Sequence, residues 1–376
     1  MSYSVNAGSM TRPQSNIQYL DVQYSAFNIK RMNTGAICKK AVVGLVLIVS
    51  MLAGQAQDLH FSQFFEAPLL RNPSLAGIFT GDYRIQGVYR DQWNSFTNAY
   101  RTGSFNGECK LPIGGTNDYI TTGLQMLYDK AGTVGLTTSE FLPALNYHKS
   151  LSDQKTEYLS LGFMGGLVRK SIDLTKMTTN NQYDGGFNPS LSTGENLYNS
   201  NFSNWDASVG MSYNTTFGAD DENSLFLGAA YHHLNRPKNS FYNNPKMELN
   251  PKYVFSAGVK FNLDEYSYFT LHADHSTQGG VSETVAGGIY SYKTGSFIDE
   301  TNCTLNFGAF LRWKDAFIPV VKIDMKSLSV ALSYDVNVSQ LKTASQGRGG
   351  FELSLSYIGF FDRHDISRQE VLCPRF

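Results

Sequence analysis

The chain is short of charge: 17% of its residues are Asp, Glu, Lys or Arg, and 31 basic against 32 acidic residues leave a formal net charge of -1. Ordinary soluble domains carry about 25% charged residues. No Lys/Arg run breaks the balance, so the concentrated basic surface that phosphate binding needs is missing, which excludes nucleic acid as a partner. Cysteine is scarce too, with four in 376 residues. Cys38 precedes the main apolar run rather than following it, so it cannot carry the lipid of a lipoprotein. Cys109, Cys303 and Cys373 are far apart, odd in number and without metal-ligand spacing, which argues for neither a disulfide framework nor a metal site. The apolar run itself, Ala41 to Ala53, is short for the roughly 20 residues of a membrane-spanning helix, and no later stretch approaches that length.

Catalytic signatures are equally thin. No Gly-x-Ser-x-Gly elbow occurs. Gly279-Gly280 and Gly287-Gly288 lack the following helix and the Lys-Ser/Thr pair of a phosphate loop. His272 and His275 point to opposite faces of a strand, so with Asp274 they do not share an ion, and His232-His233 is expected to fail for the same reason. The stretch Asn180 to Asn188, with Asp184-Gly185-Gly186, has calcium-type oxygens without the spacing of a calcium loop. These absences predict a protein that is not an enzyme, with no catalytic residues, no metal and no cofactor.

What is present is aromatic and glycine-rich: 25 Phe, 22 Tyr and 34 Gly. Lys39-Lys40, the apolar run, and small Gly54 and Ala56 read as a signal peptide cleaved after Ala56, with Met32 as a compact start and the residues before it as an upstream extension. Residues 1–56 are assigned to this address, 57–82 to a lead-in, 83–361 to a barrel and 362–376 to a periplasmic tail.

The barrel rests on alternation. From Phe351 to Phe361, Phe351, Leu353, Leu355, Tyr357 and Phe361 share one face while Glu352, Ser354 and Ser356 share the other, as in a lipid-facing strand. Similar segments are Tyr83–Asp91, Ala99–Lys110, Tyr119–Tyr128, Ser139–His148, Tyr158–Val168, Asp206–Thr216, Leu225–Leu234, Lys252–Leu263, Tyr266–His275, Glu283–Tyr292, Cys303–Trp313, Phe317–Met325 and Leu328–Val336. The fold class predicted is all-β, a transmembrane antiparallel up-and-down barrel of about 14 strands. An even count leaves both barrel ends periplasmic and puts the long links Arg169–Trp205, Asn235–Pro251 and Asn337–Gly350 outside. The short links Asn262–Glu265 and Lys326-Ser327 then fall inside the cell envelope. The inward face is mixed, with Ser208, Gly210, Ser212, Lys260, Lys322, Arg312, Asp335 and Glu352, which suits a water-filled lumen or a plugged one.

The lead-in, Asp58 to Gly77, is interrupted by Pro68 and Pro73 and makes a poor central strand. Its residues Gln57-Asp58, Phe61-Ser62-Gln63-Phe64, Pro68-Leu69 and Asn72-Pro73 resemble the opening signature of the PorP/SprF family of Bacteroidetes. The resemblance continues through Arg90-Asp91-Gln92-Trp93, the Asp184-Gly185-Gly186 loop, Ser333-Tyr334-Asp335 and the closing strand. It implies an outer-membrane component of the type IX secretion and gliding motility machinery. In such a role the barrel assists export or surface attachment of a large adhesin with a C-terminal sorting domain. The partners implied are that adhesin, a periplasmic lipoprotein or peptidoglycan-binding protein, and outer-membrane lipid. A passive porin or solute channel is the alternative, and a lipid-modifying enzyme a third. Phe61, Phe64, Phe65, Leu69 and Leu70 of the lead-in must be buried somewhere, either in the lumen as a plug or on a periplasmic partner. With both barrel ends periplasmic, Phe61, Gln63, Phe64, Leu69 and Asn72 are the expected partner-binding residues.

Overall fold

Strands alternating apolar and polar residues satisfy their backbone only when every edge is paired, and in a bilayer that means closing the sheet on itself. The computed structural model describes residues 58–92, 100–114, 116–195, 197, 199–218, 221–295, 303–339 and 348–361. The signal peptide, the tail 362–376, Gln57, Trp93 and Cys373 lie outside the described residues.

Fourteen antiparallel strands close into one barrel. They are β1 (Tyr83–Gln92), β2 (Tyr100–Pro112), β3 (Tyr119–Ala131), β4 (Leu136–Ser150), β5 (Glu157–Ser171), β6 (Asn201–Phe217), β7 (Asn223–His232), β8 (Lys252–Asn262), β9 (Ser267–Gln278), β10 (Val281–Thr294), β11 (Cys303–Arg312), β12 (Ala316–Met325), β13 (Leu328–Asn337) and β14 (Arg348–Gly359). Each strand pairs with its sequence neighbours, and β14 closes on β1 from Tyr83 opposite Gly359 to Gln92 opposite Gly350.

The hydrophobic pattern is inverted relative to a soluble domain. On β4, Leu142, Ala144, Asn146 and His148 are buried inside while Phe141, Leu145 and Tyr147 face out; on β14, Glu352, Ser354 and Ser356 are buried while Phe351, Leu355 and Tyr357 are exposed. The outward row is the lipid-facing band. No helix among the described residues is long and apolar enough to cross a membrane.

The two longest links, 172–200 and 233–251, lie at one end of the barrel together with the short 132–135, 279–280 and 313–315, and the links 151–156, 263–266 and 326–327 lie at the other. Most of the expected outward link Asn337–Gly350 lies outside the described residues. The end carrying 172–200 and 233–251 is the outward one, since bacterial barrels keep their short turns in the periplasm. Strand ends differ from the expected ones mainly outside the bilayer. β6 begins at Asn201 rather than Asp206, because Asn201 to Trp205 continue the ladder against β5 where the apolar alternation is no longer needed.

The lead-in is not a periplasmic arm. Residues 58–82 run through the lumen from the outward mouth to the foot of β1, and from Phe61 to Phe79 almost every residue is buried. Of the two placements expected for this segment, a plug in the lumen and a periplasmic docking arm, it takes the lumen, and only its end at Asp82 reaches the periplasmic rim, where Asp82 N bonds Gly359 O at 2.9 Å and Asp82 O accepts from Lys110 N at 2.8 Å.

The orientation is checked by trypsin on intact cells. Lys176, with its side chain 56% exposed in the link 172–200, is expected to be cut before any site in the short turns. Cleavage there only after lysis contradicts the assigned orientation.

Candidate functional site in the lumen

A non-strand segment inside a barrel must find partners for its own N–H and C=O groups, because neither water nor a sheet supplies them. The two prolines that disqualify the segment as a strand start its helical pieces instead. Pro68 opens the short helix α1 (Pro68–Arg71), and Pro73 opens a 3-10 turn over Pro73–Leu75, where the Asn72 side chain accepts from Ser74 N at 2.9 Å.

Wall side chains satisfy the remaining backbone. Near the outward mouth, the two oxygens of Glu352 accept from Ser62 N and Gln63 N, each at 2.7 Å, and the Gln63 amide donates to Ser333 Oγ at 3.0 Å and Glu352 O at 2.9 Å. Around them, Arg90 lies 3.3 Å from Glu352 and 3.1 Å from Asp335, while Arg312 lies 3.2 Å from Asp335 and donates to Ser62 Oγ at 2.5 Å. Two guanidinium groups facing two carboxylates keep these buried charges compensated. At mid-depth, Arg71 grips Asp274 through two bonds of 2.5 Å, and Glu66 accepts from Lys322 at 2.6 Å and Gln86 at 3.0 Å. Lower down, Asn146 donates to Ser74 O at 2.6 Å and Ala76 O at 2.8 Å, Glu108 accepts from Gly77 N at 2.7 Å, and Lys110 donates to Phe79 O.

Apolar groups fill the gaps between these fixings. Phe64 packs on Val285, Ile289, Phe310, Ile318 and Val320; Leu69 and Ala76 pack on Leu142, Ala144 and Met164; Phe61 packs on Val88 and Leu127. Burying a Phe or Leu stabilises by roughly 1.5–3 kcal/mol. Two wall glycines allow the close approach. A Cβ at Gly162 would come within 2.5 Å of Pro73 C, and one at Gly210 would overlap Asn72 Oδ1.

The five residues expected to bind a partner are all together, but on the barrel's own wall. Phe61, Gln63, Phe64, Leu69 and Asn72 are each less than 9% exposed, so in this arrangement none is presented to a periplasmic protein. The reason is chemical: the polar lumen offers these residues the hydrogen bonds and apolar shelves that a partner would otherwise supply. Of the wall groups, Glu352, Asp335, Arg312 and Lys322 were legible as inward charges. Glu108 and Asn146 were not singled out, and Arg90 and Asp274 were named only in a family motif and in a rejected metal group; an ionisable or amide side chain on the polar face of a strand in a charge-poor chain is the signal that finds them.

The histidines behave unequally. His272 points in among Phe64, Phe65, Phe226 and Phe310, and His275 points out to Thr284 Oγ1. His232 and His233, expected on opposite faces, both turn inward because β7 ends at His232 and His233 takes a left-handed φ of 60°. Among the described residues no group of three side chains suits a metal ion. Cys109 and Cys303 are free.

Above the plug, toward the outside, lies a vestibule of about 560 Å³. Asp58, Leu59, His60 and Leu70 of the plug and Leu142 and Glu140 of the wall are part of its lining.

A lipid-facing exterior, a closed sheet and a lumen occupied by the chain's own segment ahead of β1 define an outer-membrane β-barrel with a plug. This chain belongs to the PorP/SprF family of type IX secretion system membrane proteins, whose family model matches residues 53–357. No curated protein matches it. Solved barrels are distantly similar. The toluene transporter TodX of Pseudomonas putida is 12% identical at a TM-score of 0.44, over 81% of this chain and 95% of that one. A Pseudomonas aeruginosa FadL homologue is 13% identical at 0.43, over 78% and 94%. CdiB from Acinetobacter baumannii is 8% identical at 0.43, over 73% of this chain, which spans 60% of CdiB.

The tight seat of Asn72 is tested by Gly210→Ala. The substitution is expected to cost about 1–3 kcal/mol through overpacking. It should lower the temperature at which the barrel loses its fast gel mobility, and pairing it with Asn72→Ala should cost less than the sum of the two single changes. Strict additivity contradicts the close approach.

Proposed function

We propose that this barrel is a closed, non-catalytic component of the type IX secretion and gliding machinery that assists export or surface attachment of a large adhesin bearing a C-terminal sorting domain. The observation that carries the reading is the plug: a segment fixed by Glu352, Arg71–Asp274, Glu66–Lys322 and Asn146 occupies the lumen that a passive porin keeps for solutes. Family membership supplies the machinery in which such a barrel works.

The outward links 172–200 and 233–251 suit the adhesin side. They are joined to each other by Asn199 N to Phe241 O at 3.2 Å and by Tyr242 OH to Glu195 at 2.5 Å, and Phe241 packs edge-to-face on Phe202 at the start of β6, so they offer one ordered surface. A periplasmic lipoprotein or peptidoglycan-binding partner is assigned to the short-turn end, where Leu151, Leu263 and Tyr266 are exposed, in place of the buried lead-in residues.

The test is a strain lacking this barrel. Loss of the sorting-domain adhesin from the cell surface with unchanged uptake of small solutes is expected. Unchanged adhesin display with reduced uptake would establish the porin reading instead. The purified barrel in planar bilayers should show little steady conductance, and large, permanently open pores would count against the closed state.

A further inference from the structure

The plug is fixed at both rims, and the two fixings differ in kind. Its periplasmic end is continuous with β1 and tied by backbone bonds. Because the periplasmic end is fixed to β1 in this way, withdrawal from the lumen begins at the outward end, at Asp58.

At that end Asp58 is held by wall side chains, and the next plug residue but one, His60, is held separately: its carbonyl accepts from Arg90 at 2.5 Å and its Nε2 lies 3.4 Å from Glu283. His233 Nε2 lies 2.5 Å from Asp58 Oδ2, and His233 Nδ1 lies 2.7 Å from Asp206 Oδ2 on β6. Asp58 N adds a bond of 2.8 Å to Gln278 Oε1. Asp58, Leu59 and His60 are half-buried and line the vestibule, whereas burial is nearly complete from Phe61 inward. His233 reaches both carboxylates from a left-handed backbone, φ 60°, a conformation that side-chain-bearing residues adopt at a cost.

We infer that Asp58, His233 and Asp206 form a latch that holds the first residues of the plug at the outward mouth, and that its release frees Asp58 and Leu59 from the wall while His60, held by Arg90 and Glu283, and the deeper plug stay seated. Both ring nitrogens face carboxylate oxygens, so the latch needs the doubly protonated ring, in which both nitrogens donate. Burial by itself lowers the affinity of His233 for its second proton. The hydrogen bonds to Asp206 and Asp58 outweigh burial and raise the group from its ordinary 6.5 to about 9. A raised value means the tie is complete below the ordinary value and is lost as pH rises through about 9. The titratable groups around it are Asp58 in the plug, Asp206 on β6, Glu140 on β4, its neighbour His232, and Lys252 on β8. Lys252 is the cation that retains some hold on Asp58 when His233 is neutral.

The experiment places a cysteine at Leu59→Cys in a chain whose own cysteines are replaced by serine. Its labelling by a membrane-impermeant maleimide is followed in lipid nanodiscs, relative to an Asp184→Cys reference in the exposed outward link. With His233 present, relative labelling should be slow at pH 7 and rise on passing about pH 9. With His233→Gln it should be fast at both pH values, by roughly tenfold at pH 7, and Asp206→Asn should move in the same direction. Retained heat-modifiable mobility shows that each variant is folded. A cysteine at Ile78, deep in the plug, should stay protected throughout. Unchanged labelling at Leu59→Cys in His233→Gln overturns the latch, as does a pH rise that persists without His233, or equal loosening at Ile78→Cys. None of these readouts depends on adhesin display, so their failure is separate from failure of the secretion reading.

Discussion

The structure depends on one constraint: a buried backbone donor or acceptor must have a partner. The barrel wall meets it by closing β14 on β1. The segment threaded through the lumen has no strand to pair with, so carboxylates and amides on the wall do that work. Glu352 holding two successive N–H groups, Asn146 holding two C=O groups and Glu108 holding Gly77 N are side chains standing in for a neighbouring strand. Each of these then needs its own compensation. Arg90 beside Glu352 and Arg84 beside Glu108, the latter at 2.7 Å, follow from that requirement.

Much of the fold was legible because the bilayer reverses the usual hydrophobic pattern and makes it strict. Fourteen alternating segments gave the strand count, its parity and the long outward links. Errors gathered where the bilayer no longer imposes the pattern, as at Asn201 to Trp205. The site was less legible. Phe61, Phe64, Phe65, Leu69 and Leu70 were recognised as needing burial and Gln63 and Asn72 as partner-binding, but alternation along a single chain says nothing about which surface receives them. Inward charges at Glu352, Asp335 and Arg312 could be read as a wet channel or as a plug socket. Only the three-dimensional pairing of Ser62 and Gln63 with Glu352 separates the two. His233 was misread because strand geometry was assumed one residue past the end of β7.

A barrel that spends this many buried polar groups on its own first segment is organised for a closed state. On the proposed reading, the barrel's work is done by its two faces rather than by passage of solutes. Family membership and the occupied lumen are the two observations on which that reading rests.

Hydrogen exchange of the folded barrel tests the central claim most directly. If wall side chains satisfy the plug, peptides covering Phe61 to Phe79 should exchange as slowly as those from β4 and β5, with the Ser62, Gln63 and Gly77 amides among the protected positions. Exchange of that stretch at the rate of an unstructured chain, beside protected strands, would contradict the account.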